Sequence, residues 1–166
     1  MNYIYRKMHT EDADSVLEMF KGIKAEQIDM SFAKITSKEE VLNFVDNPAE
    51  LTYVVVSEDD PHRVLSLLRG KRDMKPGREH AAFLTAATHP DVRGGGLVGN
   101  LVKYSLDEMK KEGVNIARIY VYSDNTSSVN AVKKMDFTPA GSVLRHHKNV
   151  ETGKYVDDLI FHKILD

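Results

Sequence analysis

Hydrophobic and polar residues alternate with two different periods along the chain, and the changes of period predict its elements. Stretches with strand-like alternation and stretches with helical spacing follow each other in the order β-α-α-β-β-β-α-β-α-β-β. The predicted strands are Tyr3–Met8, Leu51–Val56, Val64–Leu68, His80–Thr88, Val114–Tyr122, Phe137–His147 and Tyr155–Lys163. Predicted helices begin at Thr10, run from Ser37 to Val45 and from Leu97 to Met109, and run from Thr126 to Met135.

This order predicts the class of the fold. A strand–helix–strand crossover between His80 and Tyr122 implies one parallel strand pair, while the neighbouring strands are close enough in sequence to pair as hairpins. We therefore predict an α/β fold with a mixed, mostly antiparallel central sheet and flanking helices. The pattern Ser37-Lys38-Glu39-Glu40 is a capping box, which supports a helix that begins there.

Composition narrows the class of protein. The 166 residues contain no repeat or linker that would divide them, so we predict a single domain over residues 1–166. A net charge of −2 gives no electrostatic case for binding nucleic acid or an anionic membrane, and the absence of cysteine excludes disulfides and thiolate metal sites. No signal-peptide layout and no apolar run of about 20 residues is present, so we expect a cytoplasmic protein.

The segment between Thr88 and Leu101 carries the clearest chemistry. A predicted strand is followed by Arg93-Gly94-Gly95-Gly96 and then by a predicted helix. Glycines let the backbone approach a ligand closely, and the first turn of a helix offers free N–H donors and a positive dipole end. The segment therefore favours a phosphate-bearing ligand, with a plain Gly-rich turn as the alternative. No cluster of His, Asp and Glu has metal-ligand spacing, so we predict no metal.

Two known phosphate-binding patterns fit this segment poorly. The P-loop string Gly-x-x-x-x-Gly-Lys-[Ser/Thr] does not occur. The dinucleotide fingerprint is matched by Gly94, Gly96 and Gly99, with Asp124 after the next strand, but it stands past the middle of the chain. Only one strand–helix unit then remains before the terminal hairpin, which is too little for a Rossmann domain.

A third pattern fits the segment best. Arg93 and Gly96, after a strand and a His-Pro turn, resemble the Arg/Gln-x-x-Gly-x-Gly/Ala loop of the GNAT superfamily of N-acetyltransferases. That family next has an Asn shortly after the following strand, then Ala or Ser, then an aromatic residue before Gly-Phe. Asn125, Ser128 and Phe137 match these landmarks in order and spacing.

The resemblance implies an acyl-CoA N-acyltransferase fold, in which the parallel strand pair is splayed, and acetyl-CoA as co-substrate. It implies that Ala86, Ala87 and Thr88 bond the pantetheine arm and the thioester carbonyl, and that Asn125 and Ser128 contact the pantetheine or cysteamine end and take part in catalysis. The implied pyrophosphate loop consists of Arg93, Gly94, Gly95, Gly96, Leu97, Val98 and Gly99. The implied partner is a small-molecule or peptide amine, and the family frequently forms homodimers through its terminal strands.

Three positions depart from the family pattern. Val98 stands where the loop usually has Gly or Ala, which is tolerable if its side chain points into the sheet. Asp136 replaces a common Gly. Val132 stands where many relatives place a Tyr that protonates the departing thiolate. Ser128, or a water held by Asn125, could substitute for that acid. Tyr104 and Tyr122 carry other hydroxyl groups in the region.

The general base and the acceptor site are less well defined by the sequence. Glu79 and His80, at the start of the central strand, are the candidates for beginning a proton-relaying water chain. We expect the acceptor near Gly22–Ile35 and the terminal hairpin around Leu144–Tyr155. The roles of two polar pairs in that hairpin stay open. Either one of His146 and His147 lines the acceptor cleft, or both lie on the surface. Asp157-Asp158 either attracts a cationic acceptor or is a solvated strand edge.

The sequence thus predicts an acetyltransferase that moves an acetyl group from acetyl-CoA to an amine by direct attack in a ternary complex. Two alternatives remain at this point. One is a catalytically weak or inactive acyl-CoA-binding module, suggested by Val132. The other is a dinucleotide-binding protein, suggested by the Gly94-x-Gly96-x-x-Gly99 match.

Overall fold

Within the described residues, seven strands and four α-helices form in the predicted order. The computed structural model describes residues 2–26 and 31–166. The strands are β1 (Tyr3–Lys7), β2 (Glu50–Ser57), β3 (Asp60–Arg72), β4 (Ala81–Thr88), β5 (Ile116–Tyr122), β6 (Thr138–Lys148) and β7 (Tyr155–Ile164). The helices are α1 (Ala13–Ala25), α2 (Lys38–Leu42), α3 (Leu97–Lys111) and α4 (Thr126–Lys134). No helix in this part of the chain is long and apolar enough to span a membrane.

All seven strands belong to one sheet, in the order β1-β2-β3-β4-β5-β7-β6. Each neighbouring pair is antiparallel except β4 and β5, which are parallel. The predicted mixed, mostly antiparallel sheet with one parallel pair is confirmed. The last two strands form the predicted hairpin, but β7 lies between β5 and β6, so β7 is an interior strand.

The sheet is covered by helices on both faces. In β2, Tyr53 and Val55 point to the face of α3 and α4, while Val54 and Val56 point to the face of α1 and α2. Successive residues of a strand point to opposite faces, and all four side chains are fully buried, which explains why β2 appears in the sequence as a continuous apolar run. α3 approaches β3 closely at Gly70, where a Cβ atom would collide with the thioether end of Met109.

Local sequence signals place the N-termini of the first two helices. Ser37 caps α2 by accepting a hydrogen bond from the Glu40 amide at 3.2 Å, as the capping box predicts. α1 follows a short 3-10 turn at Thr10–Asp12. Asp12 is buried there and accepts two hydrogen bonds from Arg6, of 2.7 and 2.9 Å. These contacts fasten the start of α1 to the first strand.

Two predicted boundaries were wrong. α2 ends at Leu42 and not at Val45, so Phe44 packs on the core from outside the helix. β3 begins at Asp60 and continues to Arg72, well beyond the predicted Val64–Leu68. Pairing with β2 and β4 on its two sides extends β3 into polar sequence that has no strand pattern of its own.

Candidate active-site cleft

The cleft originates where the parallel strands separate. β4 and β5 pair at three positions only, from Ala81 opposite Ile116 to Phe83 opposite Arg118. Beyond these positions β4 continues beside β3 as far as Thr88, and β5 continues beside β7 as far as Tyr122. The two strands therefore diverge, and the backbone groups of β4 that face β5 have no strand partner there. The splay implied by the family resemblance is present.

Two adjoining cavities fill the space that this divergence opens. One, of about 460 Å³, lies between the separated strands, and the other, of about 760 Å³, lies against the Gly-rich loop. Both volumes are in the range of about 300–1,000 Å³ that is typical of small-molecule sites. The cavities share lining residues, so they form one continuous cleft; among those shared are Ala86, Thr88, Val98, Asn125 and Ser128.

The loop at the wide end of the cleft has the geometry of an anion site. Gly94 and Gly96 have positive φ angles of 84° and 77°, which side chains rarely adopt. Gly96 is the N-cap of α3, and the first turn of α3 contains no acidic residue. The first backbone hydrogen bond of this helix is donated by Asn100 to the Gly96 carbonyl, so the amides of residues 97–99 have no acceptor within the helix.

Space for a ligand is available beside these amides. A Cβ atom built on Gly94 or Gly96 would meet no protein atom within 4 Å. Free N–H donors, the positive end of a 15-residue helix dipole and open space together fit a pyrophosphate group. The residues present therefore suit the phosphates of acetyl-CoA.

Arg93, at the start of this loop, is paired with a carboxylate from α1's C-terminal end. Its guanidinium forms an ion pair of 2.7 Å with Glu26, the residue that ends α1, and both side chains are more than one third exposed. Exposed ion pairs are weak, typically about 0–1 kcal/mol, so Arg93 can exchange this partner for a phosphate. No local sequence signal predicts this contact, because the two residues are distant along the chain.

Val98 contributes to the cleft wall. It is half-buried, packs against the core cluster on the α3 face and lines both cavities. Because Val98 packs against the core and also borders the cavity beside the loop, its compatibility with an anion held by backbone amides stays a prediction. Ala87 is buried in the core on the opposite face and Ala86 lies in the cleft, so alternate residues of β4 face opposite sides.

Asn125 and Ser128 meet at the start of α4. Asn125 is the N-cap residue, and its Oδ1 accepts a hydrogen bond from the Ser128 amide at 3.1 Å. An Asn side chain has two N–H donors in addition to its oxygen, and no described residue accepts from the Asn125 Nδ2. The oxygen therefore serves the helix, while the nitrogen is available to a ligand in the cleft.

Hydroxyl groups surround the cleft, although the family tyrosine is missing. Val132 is 3% exposed and lines the cavity between the strands as an apolar wall. The same cavity is lined by Tyr120, Tyr122 and Ser128. Tyr104, which lies on α3, packs against Tyr5 and Tyr53 and does not line this cavity. Burial raises the pKa of Tyr104, with a further contribution from Glu108.

Glu79 lies at the far end of β4 from the loop. Its carboxylate accepts a hydrogen bond of 3.0 Å from the Arg78 amide, and backbone hydrogen bonds keep its pKa below the usual value. It does not line either cavity of the cleft. His80 lines a neighbouring depression together with Phe83 and Tyr120, which also line the cavity between the strands. The rings of Phe83 and Tyr120 contact edge to face, with their centroids 4.6 Å apart. The structure does not bring Glu79 together with Asn125 and Ser128.

Asp158, for which the sequence left two interpretations open, lies in the cleft. It is 7% exposed, lies opposite Tyr122 in the β5–β7 register and lines the cavity between the strands. A solvated strand edge was one of the two predicted environments of this residue. That alternative is wrong, because β7 has a strand on each side.

Part of the segment expected to bind the acceptor lies outside the residues that the structure describes. Of Gly22–Ile35, residues 27–30 are not among the described residues. Among those that are described, no group of three or more His, Asp or Glu side chains could hold a metal ion. The sheet has one parallel pair only, so it is not the doubly wound parallel sheet that the dinucleotide fingerprint requires.

Comparisons with known proteins agree with this geometry. Residues 17–137 match the model of the acetyltransferase (GNAT) family. No curated protein matches the chain.

Solved structures also resemble this fold over nearly its whole length. An acetyltransferase of the GNAT family from Streptococcus pneumoniae is 16% identical, with a TM-score of 0.84, over 98% of this chain and 99% of that one. The protein yncA from Salmonella typhimurium, solved with its cofactor acetyl-CoA, is 15% identical, with a TM-score of 0.83, over 99% and 94%. A ribosomal-protein-alanine N-acetyltransferase from Brucella melitensis is 16% identical, with a TM-score of 0.81, over 97% and 99%. These identities show a shared fold.

Proposed function

The chain belongs to the acetyltransferase (GNAT) family, and from that premise we propose that it transfers an acetyl group from acetyl-CoA to an amine. The observation that carries the proposal is the continuous cleft from the N-terminus of α3 to the gap between β4 and β5. An anion site at one end and unpaired strand backbone at the other suit a long ligand with phosphates at its head and a thioester at its tip.

Each part of the cleft has a role in holding acetyl-CoA. The amides of residues 97–99 and the Arg93 guanidinium bind the pyrophosphate, and the unpaired edge of β4 at residues 86–88 bonds the pantetheine arm. Asn125 donates from its Nδ2 to the cysteamine end. A further cavity of about 600 Å³ adjoins the loop at Gly99. It is lined by two carboxylates, Asp107 and Asp136, and by four lysines, whose excess of positive charge suits the remaining phosphate of CoA; the lysines are Lys103, Lys110, Lys134 and Lys163.

The chemistry at the tip uses the strand backbone. When bound, acetyl-CoA supplies an activated acyl group and a thiolate leaving group with a reference pKa of about 8.5. N–H groups of β4 polarise the thioester carbonyl as an oxyanion-type site, and the neutral form of the amine attacks the carbonyl carbon directly in a ternary complex. The C–N bond forms, the C–S bond breaks, and the proton that the nitrogen loses passes through cleft water and restores the hydroxyl that protonates sulfur. We assign that proton donor to Ser128 or Tyr122, which line the same cavity, in the absence of a tyrosine at Val132. Such general acid help is worth about 10²–10⁴-fold in rate.

Relatives support acetyl-CoA and an amine acceptor. One similar structure contains acetyl-CoA as its cofactor, and another is an N-acetyltransferase that acts on an alanine of a ribosomal protein. Both a small-molecule amine and a peptide amino group remain acceptors to be tested. The buried Val132 favours a second candidate, an acyl-CoA-binding module with little or no turnover.

Release of free thiol from acetyl-CoA, measured against a panel of amines, tests the proposal. We expect at least one amine to release thiol, and Arg93→Glu to reduce this activity. Arg78→Glu is the matched control, because Arg78 is also exposed and paired with a surface carboxylate but lies away from the cleft. Binding of CoA without thiol release from any amine would favour the binding module, and no binding of CoA would refute both functions.

A further inference from the structure

A carboxylate lies inside the acceptor end of the cleft. Asp158 projects from β7, which is held between β5 and β6, and its side chain is only 10% exposed. It lines the cavity between the separated strands together with Tyr120 and Tyr122. Removing a carboxylate from water is costly unless a cation or hydrogen-bond donors compensate for the lost hydration. A partner for Asp158 is therefore expected.

The protein supplies part of that compensation through a distorted segment of β6. Val143 is opposite Asp158 and His147 is opposite Val156, so three residues of β6 face the single residue Asp157. Such bulges bend a strand and change the direction of its side chains. His146 lies in the bulge, and its Nε2 is 3.8 Å from Oδ2 of Asp158, longer than a hydrogen bond.

The bulge is strained and is held in place by specific contacts. Arg145 has a positive φ of 51°, a conformation that non-glycine residues seldom adopt. Its amide donates a hydrogen bond of 2.8 Å to Oδ1 of Asp157, and its guanidinium lies over the Tyr155 ring at 5.2 Å. Local strain that is kept by surrounding contacts is concentrated at functional sites.

The two sides of the Asp158 carboxylate therefore differ in the side chains that face them. Among the described residues, His146 is the basic side chain within 4 Å of the carboxylate; it carries a charge only when protonated, and it is 58% exposed toward solvent. The cleft side of Asp158 is lined by aromatic rings, including the Phe83–Tyr120 pair, and by no Lys or Arg of the described chain. Aromatic faces attract cations, so the cleft side combines a carboxylate with ring surfaces that favour a positive ligand.

We propose that the acceptor is a cationic primary amine and that Asp158 binds its ammonium group inside the cleft. This inference rests on the proposed function, because it assigns the acceptor end of the same site. It favours acceptors that carry an apolar or aromatic body next to the ammonium group. Neutral alcohols of the same shape lack the charge that Asp158 recognises.

Binding of a matched pair of probes tests the assignment. Phenethylamine and 2-phenylethanol have the same ring and chain, but only the amine is cationic at neutral pH. Each is titrated into the protein by calorimetry, with and without saturating CoA, which lacks the acetyl group and cannot react. We expect the wild type to bind the amine about 10- to 100-fold more tightly than the alcohol, the range of one hydrogen-bonded charge.

Asp158→Asn supplies the decisive comparison, because it keeps the shape of the side chain and removes its charge. We expect this variant to lose the preference for the amine and to bind CoA like the wild type. Glu151→Gln, at an exposed position in the β6–β7 turn, removes the same charge and should change neither affinity. Equal preference in the wild type and Asp158→Asn, or no preference in the wild type, would overturn the inference.

The outcomes also separate this inference from the proposed function. Loss of CoA binding in all proteins, with the amine preference intact, would refute the acetyl-CoA assignment and leave the ammonium site standing. Normal CoA binding with no amine preference would refute the ammonium site alone.

Discussion

Asn125 caps α4 and, in the proposed function, donates a hydrogen bond to acetyl-CoA, and substitutions can separate these two roles. Its Oδ1 caps α4 through the Ser128 amide at 3.1 Å, while its Nδ2 is available to acetyl-CoA. Asn125→Ala removes both functions. Asn125→Asp keeps a capping oxygen, since Asp and Asn cap helices about equally well, but replaces the donor by an anionic oxygen.

The structure gives the expected magnitudes. Loss of the cap in Asn125→Ala should cost about 0.5–2 kcal/mol of unfolding free energy. For a domain of this size this is a decrease in Tm of about 2–4 °C for each kcal/mol. Asn125→Asp should retain the wild-type Tm, because its charge also interacts favourably with the positive end of α4. Loss of one hydrogen bond to the ligand, about 0.5–1.5 kcal/mol, should weaken acetyl-CoA binding by about 2- to 12-fold in both variants.

Calorimetric titration with acetyl-CoA, together with thermal unfolding, measures both effects. Asn130→Asp is the matched control, because Asn130 is exposed on the same helix and lines neither cavity of the cleft. We expect Asn125→Asp to be as stable as the wild type and yet to bind acetyl-CoA more weakly. Wild-type affinity in Asn125→Asp would refute the role of the Nδ2 donor and leave Asn125 as a helix cap.

Three further changes test the loop and its support. Glu26→Gln releases Arg93 from its ion pair and should tighten acetyl-CoA binding by about two- to fivefold at low salt, measured by calorimetry; weaker binding would contradict the role of Arg93. Gly96→Ala forces a side chain into a φ of 77° and should lower the unfolding free energy by about 1–2 kcal/mol, whereas Gly22→Ala within α1 should not lower it. Burial raises the pKa of Asp12, but hydrogen bonds from the Arg6 side chain and the His9 amide outweigh burial and hold the pKa below its usual value. Asp12 therefore stabilises the fold fully above its unfolded pKa of about 3.9. This stabilisation is lost as the pH falls through the lower pKa of the folded state. Urea unfolding of Asp12→Asn should therefore show a loss of about 1.5–3 kcal/mol at pH 7 that narrows below about pH 4, and a pH-independent difference would contradict the assignment.

The sequence predicted the features that depend on local patterns. The element order, the capping of α2 by Ser37 and the Gly-rich loop before α3 each follow from residues within a few positions of one another. The single parallel pair followed from the length of the β4–α3–β5 crossover, because a parallel connection needs an intervening helix. These signals sufficed for the fold, while phosphate binding by the loop stays a prediction.

The acceptor end depends on long-range register, which the sequence does not encode in a short window. Insertion of β7 between β5 and β6 buries Asp158, and a three-residue bulge in β6 brings His146 near it. Glu79 was a plausible base from its place before the central strand, but that end of β4 is remote from the splay, where the strands are still paired. The contact between Arg93 and Glu26 likewise joins residues that only the packed fold brings together.

Calorimetric titration of the purified protein with acetyl-CoA, with NADH as the control ligand, tests the central claim most directly. The cleft geometry predicts saturable binding of acetyl-CoA with one site per chain and no binding of NADH. Absence of acetyl-CoA binding, or equal binding of NADH, would contradict the assignment of the cleft and leave Gly94–Gly99 as a structural turn.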